Sequence, residues 1–516
     1  MTEHSVGKLK EDQFSEEAIC VKLKLLCDAI GVACPARGCH LEISEIAVDS
    51  RRVTEGAMFV CIRGLHTDSH ACIGDAIAAG AVCILTEDGA EYEATEGVIF
   101  LSCRDTRSAS AYLYDAWYAY PSKKLKMIGV TGTNGKTSVV QILGRILSAS
   151  LYRIGLIGTV GCESMGRCLE KDTQNALASM TTPDPPDLYR MLAEMVEDGV
   201  EYVLMEVTSH ALALGKLAPI EFDVAIFTNL TPEHLDFHGS MEHYALAKAS
   251  LFGKSRVSVI NQDSPYADQM IEAATGRVVT CGTLRTADYT AREIEFLGNA
   301  GVGYQMRSAN TSVGIFCPIP GSFSVMNSMQ AAVTALQLGV SARAVKDTVA
   351  TMSGVRGRME RVRLGLGADF TVMIDYAHTP DALESLLRTA RQLRKGNGRL
   401  ILLFGCGGDR DRGKRPMMGR IASDCADFVI VTSDNSRSEE PSVIISEILS
   451  GMDPEKPHTV IESRRDAIEY AIENAQKDDL ILLAGKGHEE YEIDRQGKRR
   501  FSEREIVSEA FAKRQA

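Results

Sequence analysis

The chain is 516 residues long, with 45% hydrophobic and 24% charged residues, an ordinary balance for a soluble globular protein and enough apolar material for several cores. Its 56 basic residues stand against 69 acidic ones, a net charge of −13 with no long basic block. That balance argues against a phosphate-backbone partner such as DNA or RNA, while leaving room for local basic pockets that take small anions.

Residues 1–17 are polar and lack the positive-then-apolar layout of a signal peptide, and the longest apolar runs, such as residues 76–85, are about half a membrane span. A cytoplasmic protein without membrane insertion is expected. In such a setting the fourteen cysteines read as reduced, mostly buried thiols. Cys20, Cys27, Cys34 and Cys39 cluster, but a seven-residue spacing marks one helix face and lacks the close paired ligands of a zinc site.

At roughly 150 residues per domain the length suggests three domains, and three blocks follow from pattern. The first, residues 1–122, holds a strand-like run at 58–62 and an Ala-rich helical stretch at 74–80, and ends near Tyr120-Pro-Ser. The second, 123–358, opens with an apolar run at 125–130, then Gly129-Val-Thr-Gly-Thr-Asn-Gly-Lys-Thr137, then an amphipathic segment from Ser138. This is the order strand, phosphate loop, helix. Backbone N–H groups of Gly132, Thr133, Asn134 and Gly135 would cradle a polyphosphate, Lys136 would neutralise its β/γ oxygens, and the Thr137 hydroxyl would reach Mg²⁺. The spacing departs from the standard one, with Val130 where the first glycine is usual. Near-continuous apolar runs at 127–130, 202–205, 224–227 and 257–260 predict parallel strands covered on both faces.

Within this block Glu206 lies at a strand end, and residues 228–238 bring two histidines and two acids. Glu206 and His234 could hold a divalent ion beside a triphosphate, since Mg²⁺ takes one or two protein ligands. A turn residue satisfied by backbone is the other reading of His234. Lys248 sits in a helical pattern with apolar neighbours, and composition alone makes it a surface lysine.

The third block, 359–516, repeats the pattern with runs at 372–374, 400–404, 428–431 and 480–483. Glu206, Asn229, Asp375, Gly405, Asp434 and Gly485 all fall at or just past predicted strand ends, the edge where open α/β sheets bind ligands; ordinary loop residues are the alternative. Residues 404–416 combine a flexible turn with four cations suited to gripping carboxylates. Arg410, Arg437 and Glu489 together would suit a zwitterion.

Residues 131–137, Glu206, 228–238, 357–360, 375–380 and 484–489 resemble, in order and across nearly the whole chain, the Mur ligase family. Residues 49–51 and 64–68 look like the uridine-nucleotide domain of the member that adds the third peptide residue of the peptidoglycan precursor. The resemblance implies an α/β protein of three domains: a smaller N-terminal UDP-substrate-binding domain (1–122), a central P-loop-type ATP-binding domain on a parallel sheet (123–358) and a C-terminal Rossmann-like domain that brings the amino acid (359–516). It implies that Ser50, Leu65, His66 and Thr67 hold the UDP end, and Thr181, Thr182, Thr208 and Lys216 the muramyl-peptide. Asn327 and Arg358 would contact ATP, and Asp375 would act near the ribose or the hinge. Thr137, Glu206, His234 and a carbamylated Lys248 would hold Mg²⁺, with Lys136, Glu206, His234 and Lys248 catalytic.

The implied reaction passes the ATP γ-phosphoryl group to the carboxylate of UDP-MurNAc-L-Ala-D-Glu, and the amine of a diamino acid then attacks the acyl phosphate. Arg410, Asp434, Asn435, Arg437, Gly485 and Glu489 match the meso-diaminopimelate pocket. Two departures stand out: Ser436 where that motif usually has proline, which would loosen the loop carrying Arg437, and Lys216 where the family usually has arginine. L-Lysine or another diamino acid is the alternative substrate. A relative adding glutamate or D-Ala-D-Ala, or a folylpolyglutamate-type ligase, would share the ATP motifs but lack the arginine loop together with the N-terminal segment. A nucleotide switch that ligates nothing is the reading from another class. A monomer serving cell-wall synthesis, cell shape and division is expected.

Overall fold

The structure, a computed structural model, describes residues 20–64, 67–93, 95–169, 180–394 and 396–515. Contacts divide the chain into two compact units. One comprises Met1–Pro121, Pro185–Arg190 and Leu214–Pro219, and the other Ser122–Asp184, Met191–Ala213 and Ile220–Ala516.

The first unit carries a four-stranded parallel sheet of Ile46–Ala47, Met58–Val60, Cys83–Glu87 and Ile99–Cys103, adjacent in chain order. Met58, Phe59, Val60, Cys83, Ile84 and Leu85 are fully buried, as inner parallel strands require. The Ala-rich stretch forms the helix Ile73–Ala78. A longer helix, Thr106–Trp117, starts where the Asp105 carboxylate accepts from the N–H groups of Arg107 and Ser108, satisfying donors that a helix start leaves open.

Among its described residues the second unit contains two large sheets and a two-stranded one, Tyr491–Asp494 with Gly497–Arg500. The larger has eleven strands in the spatial order Arg167–Cys168, Gly161–Ser164, Ile154–Gly158, Tyr202–Glu206, Lys126–Thr131, Phe222–Phe227, Ser255–Asn261, Arg277–Gly282, Tyr289–Phe296, Val302–Arg307 and Ser312–Cys317. All four runs expected as strands are present in its parallel middle. Both flanks are antiparallel, so the sheet is mixed rather than purely parallel. The helix Lys136–Ala149 covers one face with Val139, Val140, Ile142, Leu143, Ile146 and Leu147.

The smaller sheet has the order Glu360–Arg361, Thr371–Asp375, Leu480–Ala484, Leu400–Phe404, Phe428–Val431 and His458–Val460, parallel except for the first pair. Side chains alternate across it. Leu400, Leu402 and Phe404 pack with Leu383, Leu387, Met418 and Ile448, whereas Ile401 and Leu403 pack with Ile468, Ile472, Ile506 and Val507. Helices therefore bury both faces, which is why the strand reads as an unbroken apolar run. Pro380–Leu393 begins at Thr379, whose side chain accepts from Ala382 N–H, with proline in the first turn.

Among the described residues no helix is long and apolar enough to cross a membrane. The cysteines are free thiols; Cys20 and Cys168 are exposed and the rest buried or half-buried. No group of three or more His, Cys, Asp or Glu side chains that could hold a metal occurs among the described residues.

Candidate functional site

The loop after Lys126–Thr131 is shaped by two glycines. Gly132 has φ +147° and a Cβ there would lie 1.9 Å from Thr228 Oγ1; Gly135 has φ +90° and a Cβ there would lie 2.6 Å from the buried Asn327 Oδ1. Neither position tolerates a side chain. Asn229, at the end of the neighbouring strand, fastens the loop: its carbonyl accepts from Thr133 N–H and its side-chain oxygen from Asn134 N–H, both at 2.9 Å. Lys136 opens the helix and donates to the carbonyls of Gly132 and Thr133, each at 2.9 Å. The loop is thus held open by hydrogen bonds to its own backbone, with a helix N-terminus behind it.

Glu206, buried at the end of Tyr202–Glu206, is the next node. Its carboxylate accepts from the Thr137 hydroxyl at 3.0 Å and from both the N–H and hydroxyl of Thr159 at 2.9 Å. Thr159 in turn meets Thr181 at 3.0 Å, and the Thr182 hydroxyl donates to Glu206 O at 2.8 Å and lies 3.2 Å from Thr208 Oγ1. Arg358 reaches Thr137 Oγ1 at 3.0 Å. The Thr137 hydroxyl and Glu206 carboxylate are two hard oxygen donors in contact, a set that fits a hard divalent cation taking few protein ligands.

Lys248 corrects the expectation of a surface lysine. It is 1% exposed on the helix Met241–Ala249, its Nζ donates to Gly132 O at 3.0 Å, and it stands 4.8 Å from the Tyr244 ring centre. Lys136 and Lys248 thus share one carbonyl, and among the described residues neither is paired with a carboxylate. Burial, reinforced by Lys136, pushes the Lys248 amine well below its ordinary pKa.

His234 occupies a turn, as one of its two readings has it. Its backbone sits at φ +56° and caps the short helix Leu235–His238, while its ring lies 4.7 Å from that of His210 and 6.2 Å from that of Tyr244. Burial lowers its pKa to about 4, leaving a neutral imidazole near neutral pH. Glu233, which sequence reasoning did not single out, stands 3.6 Å from His234 Nε2 and 3.5 Å from His378 Nε2. Burial would raise its pKa, but the hydrogen bond from His378 and the nearby His234, His378 and Lys136 outweigh that and hold it well below the usual range. A second tie runs from Asn134 Nδ2 to Asp381 Oδ2 at 3.1 Å.

In the smaller sheet Asp375 ends the strand Thr371–Asp375 and accepts from Met359 N–H at 2.7 Å and Ala377 N–H at 2.8 Å, while its carbonyl accepts from Gly485 N–H at 3.1 Å. It therefore anchors the backbone at Met359, which has φ +46°. Burial raises its pKa.

The Arg-rich loops are only partly as expected. Arg412 and Arg415 are spent on Glu439 at 2.8 Å, Arg415 also meets Glu447 at 2.6 Å, and Lys414 donates to His378 O. Among the described residues Arg410 and Arg437 hydrogen-bond to backbone carbonyls, Arg410 to Asp409 O at 3.2 Å and Arg437 to Gly408 O at 2.8 Å and Asn435 O at 3.4 Å. Among the described residues no carboxylate pairs with either. Burial and the nearby Arg437 lower the pKa of Arg410. Asn435 Nδ2 donates to Glu489 Oε2 at 2.8 Å, and the buried Asp434 lies 3.4 Å from Lys486 Nζ.

The loop carrying Ser436 and Arg437 is tied at three points. Gly408 N–H donates to Asn435 O at 2.9 Å, Arg437 N–H to Ile493 O at 3.1 Å, and the Ser438 hydroxyl to Asp409 at 2.6 Å.

In the first unit Ser50 opens a short 3-10 turn after Asp49, whose carboxylate pairs with Arg51 at 2.7 Å. Thr67 is exposed and its carbonyl accepts from Gly64 N–H at 2.6 Å. The carbonyl of Lys216 accepts from Tyr189 OH at 3.3 Å. Leu65 and His66 lie outside the described residues.

Three family descriptions match the chain: the Mur ligase middle domain over residues 130–335, the Mur ligase glutamate ligase domain over 357–487, and the Mur ligase family catalytic domain over 42–118. The UDP-N-acetylmuramoyl-L-alanyl-D-glutamate–2,6-diaminopimelate ligase of Caldanaerobacter subterraneus subsp. tengcongensis is 43% identical over 476 residues, covering 92% of this chain and 95% of its own. A solved structure of a ligase with the same description is 31% identical, with a TM-score of 0.65 and coverage of 95% of this chain and 99% of that one. The MurF ligase from Thermotoga maritima in complex with ADP, 16% identical with a TM-score of 0.59 and coverage of 91% and 97%, shares the fold.

Proposed function

The chain belongs to the Mur ligase family, and from that membership we propose that it is the ATP-dependent ligase joining meso-diaminopimelate to UDP-MurNAc-L-Ala-D-Glu in cytoplasmic peptidoglycan precursor synthesis. The observation that carries the choice of amino acid is the pair Arg410 and Arg437, cations without a carboxylate partner among the described residues, with Arg437 reaching the carbonyl of Asn435, whose amide meets the acid Glu489. A diamino acid with a second carboxylate supplies what they lack, and lysine does not.

In this reading residues 132–137, Asn327, Arg358 and Asp375 serve ATP. Thr137, Glu206, His234 and a carbamylated Lys248 would hold Mg²⁺, which when bound neutralises phosphate charge. Ser50, Leu65, His66, Thr67, Thr181, Thr182, Thr208 and Lys216 take the UDP-linked peptide, and Arg410, Asp434, Asn435, Arg437, Gly485 and Glu489 the amino acid. Lys136 draws charge from the γ-phosphoryl group as it passes in line to the glutamyl carboxylate. The diamino acid's amine then attacks the acyl phosphate, and the adduct collapses to amide and phosphate. Positioning and charge neutralisation carry the rate. The three-domain division and a monomeric state belong to the same proposal.

Phosphate release with UDP-MurNAc-L-Ala-D-Glu, comparing meso-diaminopimelate with L-lysine and weighing the product by mass spectrometry, tests the reading. Release with diaminopimelate and a product heavier by one diaminopimelyl residue is expected; no substrate-dependent release would sink it. Arg437→Met should lower kcat/KM for diaminopimelate about 10–100-fold, the cost of roughly 1.5–3 kcal/mol for a hydrogen bond to a charged group. It should leave the rate with L-lysine nearly unchanged. An unaltered preference between the two amino acids would remove Arg437 from the selection.

A further inference from the structure

Asn435 reaches Glu489 in one orientation, and the structure shows what sets it. Its side-chain oxygen lies 2.9 Å from Lys486 Nζ and 3.0 Å from Ile493 N. Both of those groups can only donate, so the atom they meet must be the amide oxygen and the NH₂ must face the other way. It faces Glu489 Oε2 at 2.8 Å.

Lys486 is fully buried just past the strand Leu480–Ala484. Its ammonium also donates to Tyr491 O at 3.0 Å and stands 3.4 Å from Asp434 Oδ1. A buried ammonium is unfavourable unless it is paired and hydrogen-bonded, and this one meets both conditions.

We propose that Lys486 is a positioning residue for amino-acid selection: by fixing the Asn435 amide it keeps an N–H on Glu489 and presents that carboxylate to the ammonium of the incoming amino acid. The role rests on the ligase reading above and deepens it. Without Lys486 the amide oxygen keeps one of its two donors, the Ile493 N–H, and the amide is held less firmly against turning. Once turned, the amide sets its oxygen against Glu489, and two acceptors repel. The charged and titratable groups acting on Glu489 are Asp434, Lys486 and His378, with Tyr491 and Tyr376 beside it. Burial and Asp434 push its pKa up while Lys486 pulls it down, so loss of Lys486 also favours the protonated acid, which cannot pair with an ammonium.

The test is steady-state phosphate release by the full chain carrying Lys486→Met, with melting temperature recorded alongside. The KM for diaminopimelate should rise about ten-fold or more, the scale of one lost hydrogen bond to a charged group. The KM values for ATP and for the UDP-linked dipeptide should stay within about two-fold. The deficit should shrink as pH rises and Glu489 ionises again. Lys486→Gln, which keeps one donor in the same place, should lie between wild type and Lys486→Met, and it decides the matter alone if the methionine variant does not fold. An unchanged KM for diaminopimelate in a folded variant, or an equal rise in all three KM values, overturns the role. Failure of the wild-type chain to release phosphate with diaminopimelate defeats the ligase reading instead, so the two failures are distinguishable.

Discussion

Lys136→Met is expected to lower kcat about 10³-fold, at the upper end of what one donor aimed at developing charge is worth, while the protein keeps its fold. The ammonium is held at the mouth of the loop by the carbonyls of Gly132 and Thr133, and burial lowers its pKa. A polyphosphate offers stronger, charged acceptors than those two neutral carbonyls, so the side chain gains by transferring to the ligand. Methionine fills nearly the same volume without the charge, and Gly132 O keeps a donor in Lys248. The melting temperature should therefore move by only a few degrees, as for other changes near 1 kcal/mol. Stopped-flow or steady-state phosphate release checks this; a kcat within about ten-fold of wild type would mean that the loop amides and helix start carry the phosphate unaided.

Why that loop is legible in the sequence and much of the rest of the site is not comes down to where each residue's partners lie. Gly132, Gly135, Lys136 and Thr137 act on neighbours within one turn of chain, so the order of residue types is enough to assign them. Lys248 acts on Gly132, 116 residues away; a helical pattern shows that a lysine has an inner or outer face to choose, and only the packed structure chooses it. The same holds for Glu233, whose partner His378 comes from the loop after Thr371–Asp375, 145 residues on, and for Lys486, which fixes Asn435 from a neighbouring loop. Arg412 and Arg415 look identical in type to Arg410, yet Glu439 and Glu447 consume them. The parallel core strands were readable because burial on both faces leaves an unbroken apolar run. Tyr289–Phe296 was not: it is paired on both sides, but Ala291 is its only buried residue, and a strand with so few inward side chains gives no apolar run.

Lys248→Ala should also cost about 10²–10³-fold in kcat, the range for removing one electrostatic contact to the reacting group, but for a different reason. Two lysines sharing Gly132 O form a like-charge pair in a buried place, which is unfavourable as long as both are protonated. The burial that depresses the Lys248 pKa raises the share of its amine that is unprotonated and nucleophilic. Attack of that amine on CO₂ forms an N–C bond and releases a proton, leaving a carbamate whose negative charge relieves the repulsion from Lys136. The product is a carboxylate-like group beside the loop where Thr137 and Glu206 would hold the cation. Mass spectrometry of intact protein under bicarbonate should show a species heavier by one CO₂, absent from the alanine variant. Formate or acetate should restore part of the variant's activity, since either fits the space of the lost side chain and supplies the missing carboxylate. Sodium chloride at equal ionic strength should not. If the alanine variant works within about ten-fold of wild type, Lys248 is only a buried support for Gly132 O, and the charge that faces the cation must come from Glu206 alone.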